Sequence, residues 1–242
     1  MDFIETKNAI RQLYEEFFLQ MGINRENGKV MNTQSRFTGL PFIGRNYCSS
    51  PIKVLFIALD VGKDERKDSD SFHSLEDRES IFPDGDLCFN AHIGGMYATA
   101  LYLMKDELGW SPSWNSLWEQ RNYYKTAKAI RVCYDDLPKD LMSFIAYDNR
   151  FHFVTINRNN RTGGQDRKYI DSQIEGKLLL DEIRLLAPNI IVFQGKAGIW
   201  NCHLEELREK YKVIVAYHPS CWQRGADKLQ YIVESIGPQI GK

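Results

Sequence analysis

Four short apolar runs, separated by segments with helical spacing, constrain the fold of this chain more than any other feature. Each run is rich in Val, Ile, Leu and Phe and is bounded by polar residues, as is typical of a buried strand. Strands that alternate with helices indicate a parallel sheet covered on both faces. We therefore predict an α/β fold, a three-layer sandwich with a central four-stranded parallel sheet. The runs lie at 53–59, 153–156, 190–193 and 213–216.

The segments between the runs supply the predicted helices. Apolar residues recur at helical spacing from the start of the chain, so we predict an amphipathic first helix that ends near Gly22. The following segment, to about residue 50, is predicted to be irregular. We expect one domain over 1–242, with an N-terminal helical extension at about 1–50 and an insertion at about 63–150. Further helices are predicted at 92–108, 123–133, 139–146, 174–187 and 197–211.

Polar residues stand where the four apolar runs end. The first run leads into Asp60, the second into Asn157 and the third into Gln194, and His218 comes two residues after the fourth. Ligands of parallel α/β sheets bind outside the carboxyl ends of the strands. The sequence therefore predicts that an acid, an amide and an imidazole converge on one edge of the sheet.

Composition limits the classes of partner. The chain has 31 basic and 32 acidic side chains, so a nucleic-acid site would need a local basic patch. The acidic start does not match a signal peptide, and no apolar run is long enough to cross a bilayer. We expect a soluble, cytoplasmic monomer that binds no membrane.

Metals and cofactors are not expected from the cysteines or the histidines. The five cysteines are odd in number and include no Cys-x-x-Cys pair, which argues against a disulfide framework, a common zinc site or an iron–sulfur cluster. Four histidines show no ligand spacing and are assigned no chemistry, namely His73, His92, His152 and His203. We therefore predict no metal and no cofactor.

Three short segments, taken in order, resemble the uracil-DNA glycosylase superfamily. They are the turn at 58–62, the strand end at 155–157 and His-Pro-Ser at 218–220. The segment 180–197 is also similar, with a helix, a proline, a strand and a Gly-x-x-Ala passage. The resemblance covers roughly residues 52–225. It implies a uracil-DNA-glycosylase-like fold and hydrolysis of the N-glycosidic bond of a base flipped out of DNA.

The resemblance also implies roles for individual residues. Asp60 lies where family members hold a water-positioning aspartate, and Asn157 lies on their base-reading asparagine. His218 lies on the histidine that faces the departing base. Phe89 corresponds loosely to the aromatic residue that stacks on the base, although a position in the core explains it better. Gly62 replaces a tyrosine that excludes C5 substituents in uracil-strict members, so we expect uracil or C5-modified pyrimidines as substrates.

The chemistry of glycosidic cleavage suits these residue types. The sugar becomes cationic in the transition state while negative charge grows on the leaving base, so a carboxylate and a hydrogen-bond donor are needed on opposite sides. An amide offers both a donor and an acceptor for a pyrimidine edge. No lysine is identifiable as a Schiff-base nucleophile, which predicts a monofunctional enzyme that leaves an abasic site.

Contacts to single- or double-stranded DNA are predicted around the His-Pro-Ser segment and after the second run. Trp222 lies where the family places an apolar wedge, although an aromatic residue covering the sheet edge would look the same in sequence. Base flipping requires such a plug to offset the loss of stacking. The remaining candidate DNA-binding residues are Ser220, Arg224, Arg158 and Arg161.

Alternative interpretations remain for the same residues. Asp60 alone would fit a helix cap, His218 a turn and Asn157 an ordinary polar loop. The chain has no Gly-x-Gly-x-x-Gly after the first run and no phosphate loop, which argues against a nucleotide-dependent enzyme. A cysteine hydrolase using Cys221 with His218 lacks an orienting acid. The main alternative function is a catalytically inactive DNA-binding relative, and the biological role stays open between DNA repair and defence against phage with modified DNA.

Overall fold

A computed structural model describes residues 1–33, 35–60, 72–81, 91–104, 107–109, 140–155, 172–195, 204–219 and 231–240. Helices and strands alternate through most of this part of the chain, which confirms the predicted α/β class. The helices are α1 (Phe3–Met21), α2 (Leu75–Ile81), α3 (Ala91–Met104), α4 (Ser172–Leu186) and α5 (Leu204–Lys210). The strands are β1 (Ser35–Phe37), β2 (Phe42–Ile43), β3 (Val54–Asp60), β4 (Ile145–Phe151), β5 (Phe153–Thr155), β6 (Ile190–Gln194) and β7 (Lys212–Ala216).

The main sheet has five strands in the order β2-β4-β3-β6-β7. β3 pairs in parallel with β4 and β6, and β6 pairs in parallel with β7. β2 pairs with β4 in the antiparallel direction. The described sheet is therefore mixed, with five strands instead of the predicted four, and β2 is its antiparallel member. The extra strand comes from the segment before residue 50 that was predicted to be irregular.

The strand beside β3 also differs from the prediction. β4 occupies this place, and the predicted strand at 153–156 is instead β5, which pairs antiparallel with β1. The predicted helix at 139–146 is wrong, because only a 3-10 turn at Leu141–Phe144 precedes β4. Every residue of β4 is buried, although its centre is polar. Pairing with two neighbouring strands outweighs the local sequence preference.

Helices cover both faces of the sheet. Leu55 and Ile57 of β3 belong to the core beneath α1 and α4. Val54 and Phe56, on the opposite face, belong to the core beneath α3 and the C-terminal turns at Ile232–Ile236 and Gly237–Gln239. This division follows the two-residue period of a strand. Each face thus buries one set of alternating side chains.

Helix α1 is fixed at its ends and along its buried face. Asp2 and Glu5 form a reciprocal capping box, and the helix ends before Gly22 as predicted. Ile10, Tyr14 and other apolar residues of α1 are buried against the sheet. None of the described helices is both long and apolar enough to cross a membrane.

The other predicted helices fall close to the observed ones. α3 is shorter than the predicted 92–108, and α4 begins two residues before the predicted 174–187. α5 forms the end of the predicted 197–211, whereas 197–203 and the predicted helix at 123–133 lie outside the described residues.

Candidate functional site

The carboxyl ends of β3, β6 and β7 lie side by side at one edge of the main sheet. Gln194 pairs with Ala216, so β6 and β7 end level. Ile57 pairs with Phe193, so β3 continues past the end of β6 to Asp60. Asp60 is the final residue of β3, and its side chain lies outside the described part of the structure. His218 follows β7 by two residues and is partly buried. The strand of Gln194 therefore lies between those that lead to the acid and to the imidazole.

Gln194 lies at this edge but is not among the residues predicted to be functional. Its side chain is 1% exposed. Neither its amide oxygen nor its amide nitrogen has a hydrogen-bond partner within the described ranges. A buried amide group without a partner costs about 1–3 kcal/mol. A ligand that offers both a donor and an acceptor would remove this cost.

The backbone around Gln194 allows His218 to approach closely. The Gly195 N–H donates to the carbonyl oxygen of Ala216 over 3.1 Å, which ties β6 to the end of β7. Gly195 has a φ of 127°, a conformation that favours glycine. A Cβ atom added there would lie 3.5 Å from Cδ2 of His218. The imidazole thus lies directly over the turn that follows Gln194.

Helix α3 packs against the same edge of the sheet at Gly95. A Cβ atom added at Gly95 would lie 2.6 Å from Cβ of Pro219 and 3.9 Å from Nε2 of Gln194. A helix residue larger than glycine would therefore collide with the turn that carries His218. Gly95 links the position of α3 to that of the candidate site.

We predict that Gly95→Ala lowers the free energy of unfolding by about 1–3 kcal/mol, because the proline ring cannot rotate away from an added methyl group. This loss exceeds the gain of about 1 kcal/mol that alanine gives in a helix interior. Urea unfolding measures the change. Gly237→Ala is the matched control, since its Cβ would lie 3.6 Å from the nearest atom, the carbonyl oxygen of Ile232. A Gly95→Ala variant as stable as the wild type would contradict the prediction.

The other eight predicted site residues all lie outside the described part of the structure. β5 ends at Thr155, two residues before Asn157. The structure therefore brings together the strands that lead to Asp60 and His218 and leaves the remaining assignments as predictions. The residues outside the described ranges are Asn157, Gly62, Phe89, Ser220, Trp222, Arg224, Arg158 and Arg161.

A second group of polar side chains is buried between the sheet and the helices α1 and α4. We call Tyr14, Asp148, His152 and Glu182 the buried quartet. His152 Nε2 lies 2.7 Å from Oδ2 of Asp148, and the Tyr14 hydroxyl lies 3.1 Å from the same nitrogen. Tyr14 donates to Oε2 of Glu182 over 2.7 Å and lies 3.4 Å from Oδ2 of Asp148. All four residues are at most 1% exposed.

The topology explains why these four residues meet. Asp148 and His152 are four positions apart along extended chain, so both lie on the face covered by α1 and α4. Tyr14 comes from α1 and Glu182 from α4. The backbone N–H of His152 donates to Oε1 of Glu175, also on α4, over 3.2 Å. This hydrogen bond ties the backbone between β4 and β5 to α4.

Burial changes the acidity of the quartet. It raises the pKa of the Glu182 carboxyl well above its usual value, and the nearby Asp148 charge raises this pKa further. The hydrogen bond from Tyr14 opposes part of that increase. Burial, followed by the charges of Asp148 and Glu182, also raises the pKa of the Tyr14 hydroxyl. Burial and the neighbouring Asp148 carboxylate therefore both favour the neutral form of Glu182.

Gln194 and the quartet are the residues that sequence reasoning missed. The sequence shows no metal-ligand spacing around His152, so no chemistry is predicted for it. A usable signal was the alternation of Asp148, Arg150 and His152 in a segment flanked by apolar residues, which would place all three on one face of a strand. The predicted helix at 139–146 and the predicted strand at 153–156 leave this segment between two elements.

Neither a scan against protein-family models nor a search of the curated proteins finds a match to this chain.

Proposed function

We propose that this protein is a monofunctional DNA glycosylase that releases uracil or a C5-modified pyrimidine and leaves an abasic site. The observation that carries the proposal is the buried, unpartnered amide of Gln194 between the strands that lead to Asp60 and His218. A polar group in this place is satisfied when a ligand with its own donors and acceptors enters the strand-end site. We further propose that the α/β architecture is of the uracil-DNA-glycosylase type.

In the proposed reaction, residues at the ends of β3 and β7 stabilise the two opposite charges that develop in the transition state. Asp60 holds a water beneath the sugar and stabilises the developing oxocarbenium ion. His218 donates a hydrogen bond to the carbonyl oxygen of the departing base, on which negative charge grows. The water adds to the sugar carbon as the glycosidic bond breaks, and the bonding electrons leave with the base. The products are a free base and an abasic site.

The amide side chains of Asn157 and Gln194 and the space beside Gly62 select the base. Asn157 reads the polar edge of the base, and the Gln194 amide supplies a further donor and acceptor near His218. Gly62 leaves space for a substituent at C5. Phe89 stacks on the base, as the family resemblance suggests. Together these groups favour a pyrimidine over a purine.

DNA contacts complete the proposal. Trp222 fills the space left by the flipped nucleotide, which offsets an unstacking cost of a few kcal/mol. Ser220, Arg224, Arg158 and Arg161 contact the phosphates. We propose that the protein acts as a monomer in the cytoplasm without a cofactor, either in DNA repair or in defence against phage with modified pyrimidines.

The direct test uses defined oligonucleotides with one modified base, in single- and double-stranded form. Uracil, thymine and larger C5-substituted pyrimidines are compared, and the released base is identified by mass spectrometry. The proposal is supported by a free pyrimidine together with alkali-labile sites. DNA binding without release of any base would favour the catalytically inactive relative, and strict rejection of all C5 substituents would contradict the role of Gly62.

The substitution Gln194→Leu tests whether Gln194 contributes to ligand binding or to the stability of the fold. We predict that the variant binds substrate DNA up to about 10-fold more weakly, since one hydrogen bond contributes about 0.5–1.5 kcal/mol. Its thermal midpoint should equal or exceed that of the wild type, because an unsatisfied buried amide is replaced by an apolar group of similar size. Fluorescence anisotropy and thermal unfolding measure the two effects.

Gln239→Leu is the matched control for Gln194→Leu. The Gln239 amide accepts a hydrogen bond from the Val215 N–H and donates to the carbonyl oxygens of Val215 and Ser235, at distances of 2.6–3.0 Å. We expect this variant to lose stability and to keep its affinity for DNA when folded. If Gln194→Leu behaved in the same way, Gln194 would be a structural residue only.

A further inference from the structure

The buried quartet contains two carboxyl groups in the protein interior. Asp148 and Glu182 are each at most 1% exposed. Among the members of the quartet, His152 alone can carry a positive charge. A dry protein interior disfavours two neighbouring carboxylates, so protons or a bound cation neutralise them.

The polar atoms of the quartet are arranged compactly enough to surround a small cation. The four contacts among Tyr14 Oη, Asp148 Oδ2, His152 Nε2 and Glu182 Oε2 range from 2.7 to 3.4 Å. One ligand atom each from Asp148, His152 and Glu182 can be chosen so that all lie within 4.8 Å of one another. Tetrahedral zinc with bonds of about 2.0–2.1 Å to N and O ligands has edges of about 3.3 Å. Small side-chain adjustments would therefore suffice.

The hydrogen bonds within the quartet leave two of its polar atoms without a partner in the described part of the chain. Oε1 of Glu182 is buried and has no hydrogen-bond partner in the described part of the chain, and the same holds for Nδ1 of His152. A buried carboxylate oxygen without a partner is costly, and a cation removes this cost directly. This observation is independent of the charge count.

We propose that the buried quartet is a structural zinc site. His152, Asp148 and Glu182 are the ligands, and the Tyr14 hydroxyl completes or directly supports the ligand set. One imidazole with carboxylates suits zinc, whereas magnesium and calcium prefer oxygen ligands and retain water or high coordination numbers. The site joins the break after β4 to α1 and α4. It does not depend on the proposed glycosylase activity.

The first experiment measures metal in the folded, full-length wild type. Because the site is buried, the protein is unfolded in urea with a chelator, then refolded with Zn²⁺, with Mn²⁺ or without metal, and desalted. We expect about one equivalent of zinc by atomic emission. The zinc-refolded protein should melt about 5 °C or more above the metal-free protein, because the ligand binds only the folded state. No retained zinc and no change in midpoint would overturn the proposal and leave protonation as the means of neutralising the charge.

The second experiment assigns the ligands. Glu182→Gln should lower the zinc affinity by more than the roughly 10- to 100-fold that is typical of an outer contact. Asp181→Asn is the matched control, since Asp181 precedes Glu182 on α4 but faces the solvent-side residues Lys177 and Arg184. Wild-type zinc affinity in Glu182→Gln, or retention of manganese but not zinc by the wild type, would overturn the assignment. If Glu182→Gln does not fold, the wild-type metal content and melting shift decide the question.

Discussion

Replacing Asp60 with asparagine is expected to lower the rate of base release by at least about 10³-fold, which corresponds to about 4 kcal/mol in the barrier. The reason is electrostatic. Asparagine keeps the size and polarity of the side chain but removes the negative charge that stabilises a cationic sugar. Single-turnover kinetics on a uracil-containing oligonucleotide measure this step without interference from product release.

DNA affinity separates a catalytic from a structural role for Asp60. Because the sugar is cationic only in the transition state, Asp60→Asn should bind substrate DNA about as tightly as the wild type. Asp181→Asn, which makes the same chemical change on the surface of α4, should retain full activity. Loss of DNA binding together with a lower melting temperature in Asp60→Asn would instead indicate that Asp60 caps local structure.

The parts of the fold that sequence could predict are those with strong local patterns. β3, β6 and β7 are continuous apolar runs, and all three lie in the parallel part of the sheet. α1 and α4 combine regular apolar spacing with clear ends. These signals are local, so they survive without knowledge of the tertiary structure.

β4 was missed for a physical reason. Its centre is Asp148-Asn149-Arg150, which has the composition of a turn although all three residues are at most 1% exposed. Partners distant in sequence make this burial possible. Tyr14 reaches Asp148 across 134 positions and Glu182 across 168 positions. No window of sequence contains such contacts.

The candidate site, like the fold, could be predicted from sequence only where the signal is local. The positions of Asp60 and His218 follow from where apolar runs end, which is a local property. The importance of Gln194 depends on its burial and on the absence of a partner in the described part of the chain, and both are tertiary properties. A glutamine at the end of a strand has an ordinary polar appearance in sequence.

His218→Ala is expected to lower the rate of base release by about 10²- to 10³-fold, the usual effect of removing one preorganised donor to a developing anion. The donor acts mainly in the transition state, so kcat and kcat/KM should fall by similar factors. This pattern differs from that of Gln194→Leu, for which the predicted loss includes ground-state binding. Steady-state kinetics over a range of substrate concentrations distinguish the two.

The leaving base provides an internal control for the role of His218. An electron-withdrawing fluorine at C5 stabilises the departing anion, so a 5-fluorouracil substrate needs less help from the imidazole. The ratio of wild-type to His218→Ala rates should therefore be clearly smaller for 5-fluorouracil than for uracil. His218→Gln, which keeps a donor, should recover part of the lost rate for uracil. An equal loss with both bases would place the effect of His218 in the geometry of the turn over Gly195 rather than in stabilisation of the departing base.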